Sequence, residues 1–313
     1  MMHSMARLSA LLLSLLAAAA GLTGCSRQEP VAVHLEKKTP LAPVSTAGGP
    51  KPIRLGMGAM ITPKEGYVYY YELKEYLARK IGRPIELVDR NNYSEINKML
   101  ETGELEFGFV CSGPYVEGHD RYGLEIIAVP EVNGVSTYHS YIIVPQEIPA
   151  REFRDLRGGR FAFTDPKSNT GKLVPTYMLA RMHESPDTFF KKVIYTYGHD
   201  KSIKAVAERL VDGAAVDSLI WDIYLRSHPD IAKKVRIIAR SPAYGIPPLV
   251  AVPGLDPSLK KTIRTALLAM HADPAGKAIL AKMNIDRFVL QPDKSYDSIR
   301  EMEAWVARQK RQQ

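Results

Sequence analysis

Cysteine is scarce in this chain: Cys25 and Cys111 are the only two among 313 residues. Two thiols cannot build a cysteine metal centre, and neither a metal nor a cofactor is expected. The apolar run at residues 8–22 is shorter than the roughly 20 residues a bilayer-spanning helix needs. A nucleotide-binding P-loop is missing too. Beside Gly171 and Lys172, Pro166 stands where the first glycine belongs and Leu173 where the magnesium-binding hydroxyl belongs. Ser168 lacks the GxSxG surroundings of a hydrolase nucleophile. The formal charge of +8 is a mild excess not clustered with aromatic residues, which argues against nucleic acid and suits an acidic small ligand or an anionic membrane surface.

What is present begins with an address. Arg7, the run 8–22, and then Leu22, Thr23, Gly24 and Cys25 resemble a bacterial lipoprotein signal with its lipobox. A short run ending in small residues fits cleavage better than a permanent anchor. The resemblance implies a signal peptide over 1–24, diacylation of Cys25, and a periplasmic or otherwise extracytoplasmic protein held to a membrane by lipid. Residues 25–52 carry Pro30, Pro40, Pro43, Pro50, Pro52 and the pair Gly48 and Gly49, without apolar periodicity. Such a tether wanders roughly 25 to 35 Å. Acylation of Cys25 leaves Cys111 without a disulfide partner. Cys111 closes an apolar stretch with no basic or histidine neighbour, so it reads as a buried structural thiol rather than a nucleophile.

The roughly 260 residues from Ile53 onward are too many for one small core and suit two lobes. Strand-like IRLGM, PIELV and LEFGFV alternate with helical patterns over 66–81 and 93–101. The alternation restarts at GRFAFT and continues through VIYTY, AAVDSL and VRIIA, with helices over 171–183 and 200–211. An extended stretch at 137–145 and a Pro-rich passage after Ser241 flank this middle unit. The pattern predicts an α/β fold of two lobes joined by two hinge strands, near 141–145 and 243–250, with a ligand cleft between them. The first lobe is expected over 53–142, the second over 143–245, and a return to the first over 246–313.

The stretch 161–175 is the most pointed. Phe161, Ala162 and Phe163 suit a buried strand, Asp165 and Pro166 stop it, and a helical pattern begins after Gly171, with Pro175 tolerated only in a first turn. Free N–H groups then belong to about Asn169 to Lys172. With the helix dipole and the hydroxyls of Ser168 and Thr170, they offer a cradle for a tetrahedral oxyanion that needs little or no formal positive charge. Helix capping alone is the competing reading.

In FTDPKSNTG, Asp165, Pro166, Ser168, Thr170 and Gly171 stand in register with a DPxSxSG or DPxSxTG loop. With SGPYV (112–116), GHD (198–200), VDSLIWD (216–222) and SPAYGIPP (241–248), the chain after the tether resembles the phosphate, phosphite and phosphonate substrate-binding proteins of ABC transporters. The resemblance implies a type II periplasmic-binding-protein fold that closes over a small oxyanion and presents it to a membrane permease. It implies no catalysis, and a monomer is expected. The same resemblance fits a lipoprotein that senses its ligand and signals to a membrane sensor kinase. A third reading, an enzyme with Ser168, His199 and Asp217 as a triad, is disfavoured because hydroxyls that donate to a bound anion need no activating base.

Under this resemblance Ser168, Asn169, Thr170 and Gly171 hold the anion. His199 precedes a helix whose apolar positions Ile203, Val206, Ala207 and Leu210 share a face, leaving its ring free to look into the cleft; Asp200 is expected as that helix's N-cap. Tyr115 and Tyr67 are candidate contacts from the first lobe, while Tyr69 and Tyr70 belong with Leu73, Leu77 and Ile81 in the core. Alternation in TYHSYIIV puts Tyr138 and Ser140 on one face, and these two are favoured there. Asp217 and Trp221 offer a carboxylate and an aromatic face to a ligand ammonium group, although Asp217 equally suits the N-cap of the helix from Ser218. Lys172 departs from the family loop, where an aromatic or apolar residue is common; it either adds charge for a dianion or faces solvent.

Overall fold

The computed structural model describes residues 50–58 and 63–311, and within the first helix it describes side chains from Val68 onward. The leader, Cys25 and the tether up to Gly49 lie outside the described residues, as does the side chain of Tyr67.

In chain order the strands are β1 (Ile53–Met57), β2 (Ile85–Asp89), β3 (Phe107–Phe109), β4 (Glu125–Glu131), β5 (Thr137–Tyr138) and β6 (Ser140–Pro145). They continue with β7 (Arg160–Phe163), β8 (Lys192–Tyr195), β9 (Gly213–Asp217), β10 (Val235–Arg240), β11 (Tyr244–Gly245), β12 (Leu249–Ala251) and β13 (Arg287–Val289). One sheet has the order β13-β4-β12-β3-β1-β2, the other β10-β6-β9-β7-β8. In the first, β1 runs parallel to β2 and β3; in the second, β7 runs parallel to β8 and β9. β3 is buried along its whole length and β1 nearly so, which is why IRLGM and FGF show no polar alternation.

The chain leaves the first sheet and returns to it through the antiparallel pair β5 and β11, where Tyr138 lies opposite Tyr244. Ser140 and Tyr141 therefore already belong to the second sheet, and Leu249 to the first. The crossings sit at 137–138, ahead of the stretch 141–145 that extended sequence alone suggests, and at 244–245, inside the expected stretch 243–250. β6 is buried throughout and pairs on both edges, with β9 and β10, so it is a central strand and not a hinge.

Helix Pro63–Ile81 packs Leu73 and Leu77 against Leu55, Phe107 and Phe109, with the Tyr70 ring edge-on to Phe109 at 5.4 Å. The second lobe is centred on aromatic rings, Phe161 stacking on Phe190 at 4.4 Å beside Phe153 and Phe189. The last helix, Asp297–Lys310, reaches across to helix Val174–Arg181, where Trp305 meets Tyr177 edge-on at 5.3 Å.

Candidate functional site

In open α/β sheets, ligands bind beyond the carboxyl ends of the parallel strands. Here those ends lead to one polar cluster: β2 to Tyr93, β3 to Cys111 and Ser112, β7 to Thr164, Ser168, Asn169 and Thr170, β8 to His199, and β9 to Asp217. All of these residues are buried.

After β7 the turn is closed by Asp165, whose carboxylate accepts the Lys167 N–H (2.7 Å) and, from the first lobe, the Tyr93 N–H (3.2 Å). Ser168 then caps a π-helical turn, Asn169–Leu173, its hydroxyl accepting the Gly171 N–H at 2.9 Å. The turn feeds helix Val174–Arg181 with Pro175 in its first turn, as the spacing predicts. The wide turn directs its donors differently from the expectation. Ser168 holds the Gly171 N–H, and the Asn169 N–H points at Cys111 Sγ. A Cβ on Gly171 would lie 2.5 Å from Thr164 Oγ1, so only glycine lets the turn sit this close to β7. Ser140 Oγ donates to the Thr170 carbonyl at 2.6 Å, which places it beneath the turn as a backbone support. Thr170 Oγ1 and Asn169 Oδ1 are left without a partner although neither residue has exposed surface. Buried polar atoms are nearly always paired, so two orphans on one turn call for an explanation.

His199 Nδ1 accepts the backbone N–H of Asp217 at 3.0 Å. A backbone N–H only donates, so the ring proton sits on Nε2, which faces the Tyr93 hydroxyl at 3.5 Å. Burial pushes the imidazolium pKa down to about 3, and the ring is a neutral donor near pH 7. Asp217 caps helix Ser218–Ser227, Oδ1 accepting the N–H groups of Leu219 and Ile220 at 2.7 and 3.4 Å. Burial outweighs those bonds and raises its carboxyl to about 7. Tyr70, Tyr93, Tyr138 and Cys111 are pushed up by burial first and by the nearby Asp217 charge as a further cause, the thiol to about 11. With Tyr69, Tyr70 and Ile220, Asp217 also lines a cavity of about 60 Å³ that extends to Lys282 and Ile285.

These contacts leave Ser168, His199 and Asp217 unconnected as a triad. His199 is held by the backbone of Asp217 and not its carboxylate, and Ser168 Oγ is engaged by Gly171. Neutral hydroxyls, an amide and an imidazole N–H can hydrogen-bond an anion; nothing here is arranged to activate a nucleophile.

Tyr138 joins the cluster, its hydroxyl accepting from Asn169 Nδ2 at 3.1 Å. Tyr115 does not: its hydroxyl donates to Asp293 at 2.7 Å and its ring packs edge-on against Tyr296, drawn to the C-terminal segment that covers its helix. Trp221, one turn past the cap, meets Tyr141 edge-on at 6.4 Å and packs with the second-lobe core. Asp200 is not a cap either; Gly198 is, and Asp200 falls in the first turn. Lys172 lines an open surface groove with Glu117, Asp120 and Glu303. Reading the sequence missed Tyr93 and Thr164, while Cys111 is buried as expected and lies in the same cluster. The one signal that finds all three is their position just past the carboxyl ends of parallel strands.

Residues 55–296 match the family model described as ABC transporter, phosphonate, periplasmic substrate-binding protein. The phosphonates-binding periplasmic protein of Escherichia coli K12 is 24% identical over 231 residues, covering 72% of this chain and 68% of that one. Among solved structures, a binding-protein component of a Pseudomonas aeruginosa ABC phosphonate transporter superposes with a TM-score of 0.79 at 22% identity, covering 83% of this chain and 88% of that one. A Prochlorococcus marinus protein in complex with methylphosphonate gives 0.76 at 19% identity, covering 83% and 99%. With the family match spanning most of the sequence and the same two-lobed fold in these structures, the chain belongs to the periplasmic phosphonate-binding proteins that serve ABC transporters.

Proposed function

We propose that this protein captures a small phosphorus oxyanion, a phosphonate, phosphite or phosphate, on the turn 168–171 and delivers it to an ABC permease while tethered outside the cytoplasm by lipid on Cys25. The observation that carries the ligand reading is the orphaned hydroxyl of Thr170, buried without a partner on the turn it shares with Ser168, whereas the orphaned Asn169 Oδ1 only accepts and so suits a ligand O–H or ammonium group. Such a site favours an anion through hydrogen bonds without a lysine or arginine. Asp217 is the contact for an ammonium group where the ligand carries one, since a cation would hold its carboxylate charged.

A ligand that binds only the native clamp stabilises it by about 2.7 kcal/mol at a hundredfold excess over its Kd. For a body of this size the melting midpoint is expected to rise by roughly 5 to 11 °C with phosphate, phosphite, methylphosphonate or 2-aminoethylphosphonate, at least one of which is the cognate class. Sulfate, nucleotides and amino acids are expected to leave it unchanged. A silent phosphorus panel beside a response to sulfonates, amino acids or organic cations would overturn the ligand reading and leave the fold intact.

The anchor has its own test, because one acyl chain gives marginal membrane binding and two give stable attachment. Cys25→Ser is expected to be absent from the membrane fraction or to retain its leader. Normal membrane retention with the leader removed would sink the lipid anchor.

A further inference from the structure

Cys111 lies two residues past β3, in the N-cap position of helix Ser112–Tyr122, and belongs to the polar cluster. Its side chain packs with Tyr93 as a small apolar pair, and its Sγ lies 3.9 Å from the Tyr138 hydroxyl. The Asn169 N–H is directed at the same sulfur. Asn169 Oδ1, one of the two orphaned atoms, belongs to the amide whose Nδ2 meets Tyr138, so it shares this cluster. Strong donors belong to the same cluster: the Tyr138 hydroxyl beside the thiol, the His199 Nε2–H facing the Tyr93 hydroxyl at 3.5 Å, and the hydroxyls of Ser168 and Thr170 on the turn that carries Asn169.

Resting on the proposed function, we propose that the Cys111 thiol and the Tyr93 ring form the wall that faces the non-oxygen substituent of the bound anion, so that Cys111 sets a preference for a P–C or P–H bond over a fourth oxygen. Sulfur is a weak donor and a weak acceptor. An anion with three oxygens on the strong donors and a carbon or hydrogen against the thiol leaves none of its own oxygens unpaired. Inorganic phosphate turns its fourth oxygen to the sulfur and loses a water partner without gaining an equal one. Burial keeps the thiol protonated, so it adds no charge to repel the ligand. A serine at this position supplies a short hydroxyl donor to that fourth oxygen and removes the discrimination.

The test is calorimetric titration of methylphosphonate and inorganic phosphate into the wild-type protein, Cys111→Ser and Cys111→Ala, with a thermal melt of each. The wild type is expected to prefer methylphosphonate. Cys111→Ser should reduce that preference tenfold or more, and Cys111→Ala, which adds no donor, should retain it. A Cys111→Ser protein that binds both anions with the wild-type ratio overturns the wall and spares the ligand reading. A wild type that binds neither overturns both. Should Cys111→Ser fail to fold, N-ethylmaleimide labelling of the wild type decides, read by the mass of the peptide that contains Cys111. The thiolate adds across the maleimide double bond, and the new carbanion takes a proton from water. Protection by saturating methylphosphonate is expected, and equal labelling with and without it overturns the wall.

Discussion

Replacing Thr170 with valine is expected to weaken methylphosphonate binding ten- to a hundredfold, about 1.5 to 3 kcal/mol, while the melting midpoint of the free protein stays level or rises. The asymmetry follows from the orphaned hydroxyl. Thr170 Oγ1 is buried and has no partner within the protein, so the ligand-free fold loses no hydrogen bond when it goes, and valine keeps the methyl packing. Ser168→Ala should weaken binding by a similar factor and also lower stability by about 1 kcal/mol, because its oxygen caps the Gly171 N–H. Calorimetry and melts on the two variants separate a residue that serves only the ligand from one that serves both. Unchanged affinity in both would remove the anion from this turn.

Asp217→Asn and His199→Gln are expected to tilt stability against pH in opposite directions. The Asp217 carboxyl rises on folding from 3.8 to about 7, so between those values the folded state binds the extra proton and the contribution of this group falls as pH rises. His199 drops from 6.5 to about 3, so there the unfolded state binds the extra proton and stability is lost as pH falls. Each is worth about 1.4 kcal/mol per pH unit where one proton separates the states, and over roughly pH 5 to 6 the two offset each other. Glu303, raised to about 7 by burial and by Glu117 and Asp120, adds a slope of the Asp217 kind to every variant, so the informative quantity is the difference from wild type. Asparagine still caps the helix. Asp217→Asn should therefore add a positive slope of about 1.4 kcal/mol per pH unit relative to wild type, and His199→Gln a negative one of similar size. Urea unfolding at several pH values across this window measures both, and parallel curves for all three proteins would refute the assignments.

How far the sequence reached depends on the range of the contact. The turn 165–171 was legible because its strand, its stop and its proline lie within a dozen residues, and Asp217 was legible both as a cap and as a cluster residue. Tyr138 was found by alternation. What stayed hidden are partners set by tertiary approach: the Tyr93 hydroxyl meets a histidine 106 positions away, and Tyr115 turns to an aspartate 178 positions away. Periodicity says that such a side chain is buried and is silent on what it is buried against. The first hinge strand, and not the second, was displaced for a related reason, since a central strand and an extended linker can share one apolar, β-branched sequence, and only pairing on both edges tells them apart.

The absence of any exposed surface on Ser168, Asn169, Thr170 and His199 has a kinetic meaning. A ligand held by these residues cannot leave while the lobes are shut, so its residence time is set by how often the clamp opens and not by how many hydrogen bonds it makes. Contacts between the lobes that do not touch the anion bear on opening, among them Lys167 on Glu117 at 2.7 Å, Arg226 on Asn284 at 2.8 Å and Trp305 on Tyr177. A permease that pulls those pairs apart empties the site without competing for the ligand, however tightly the closed protein holds it.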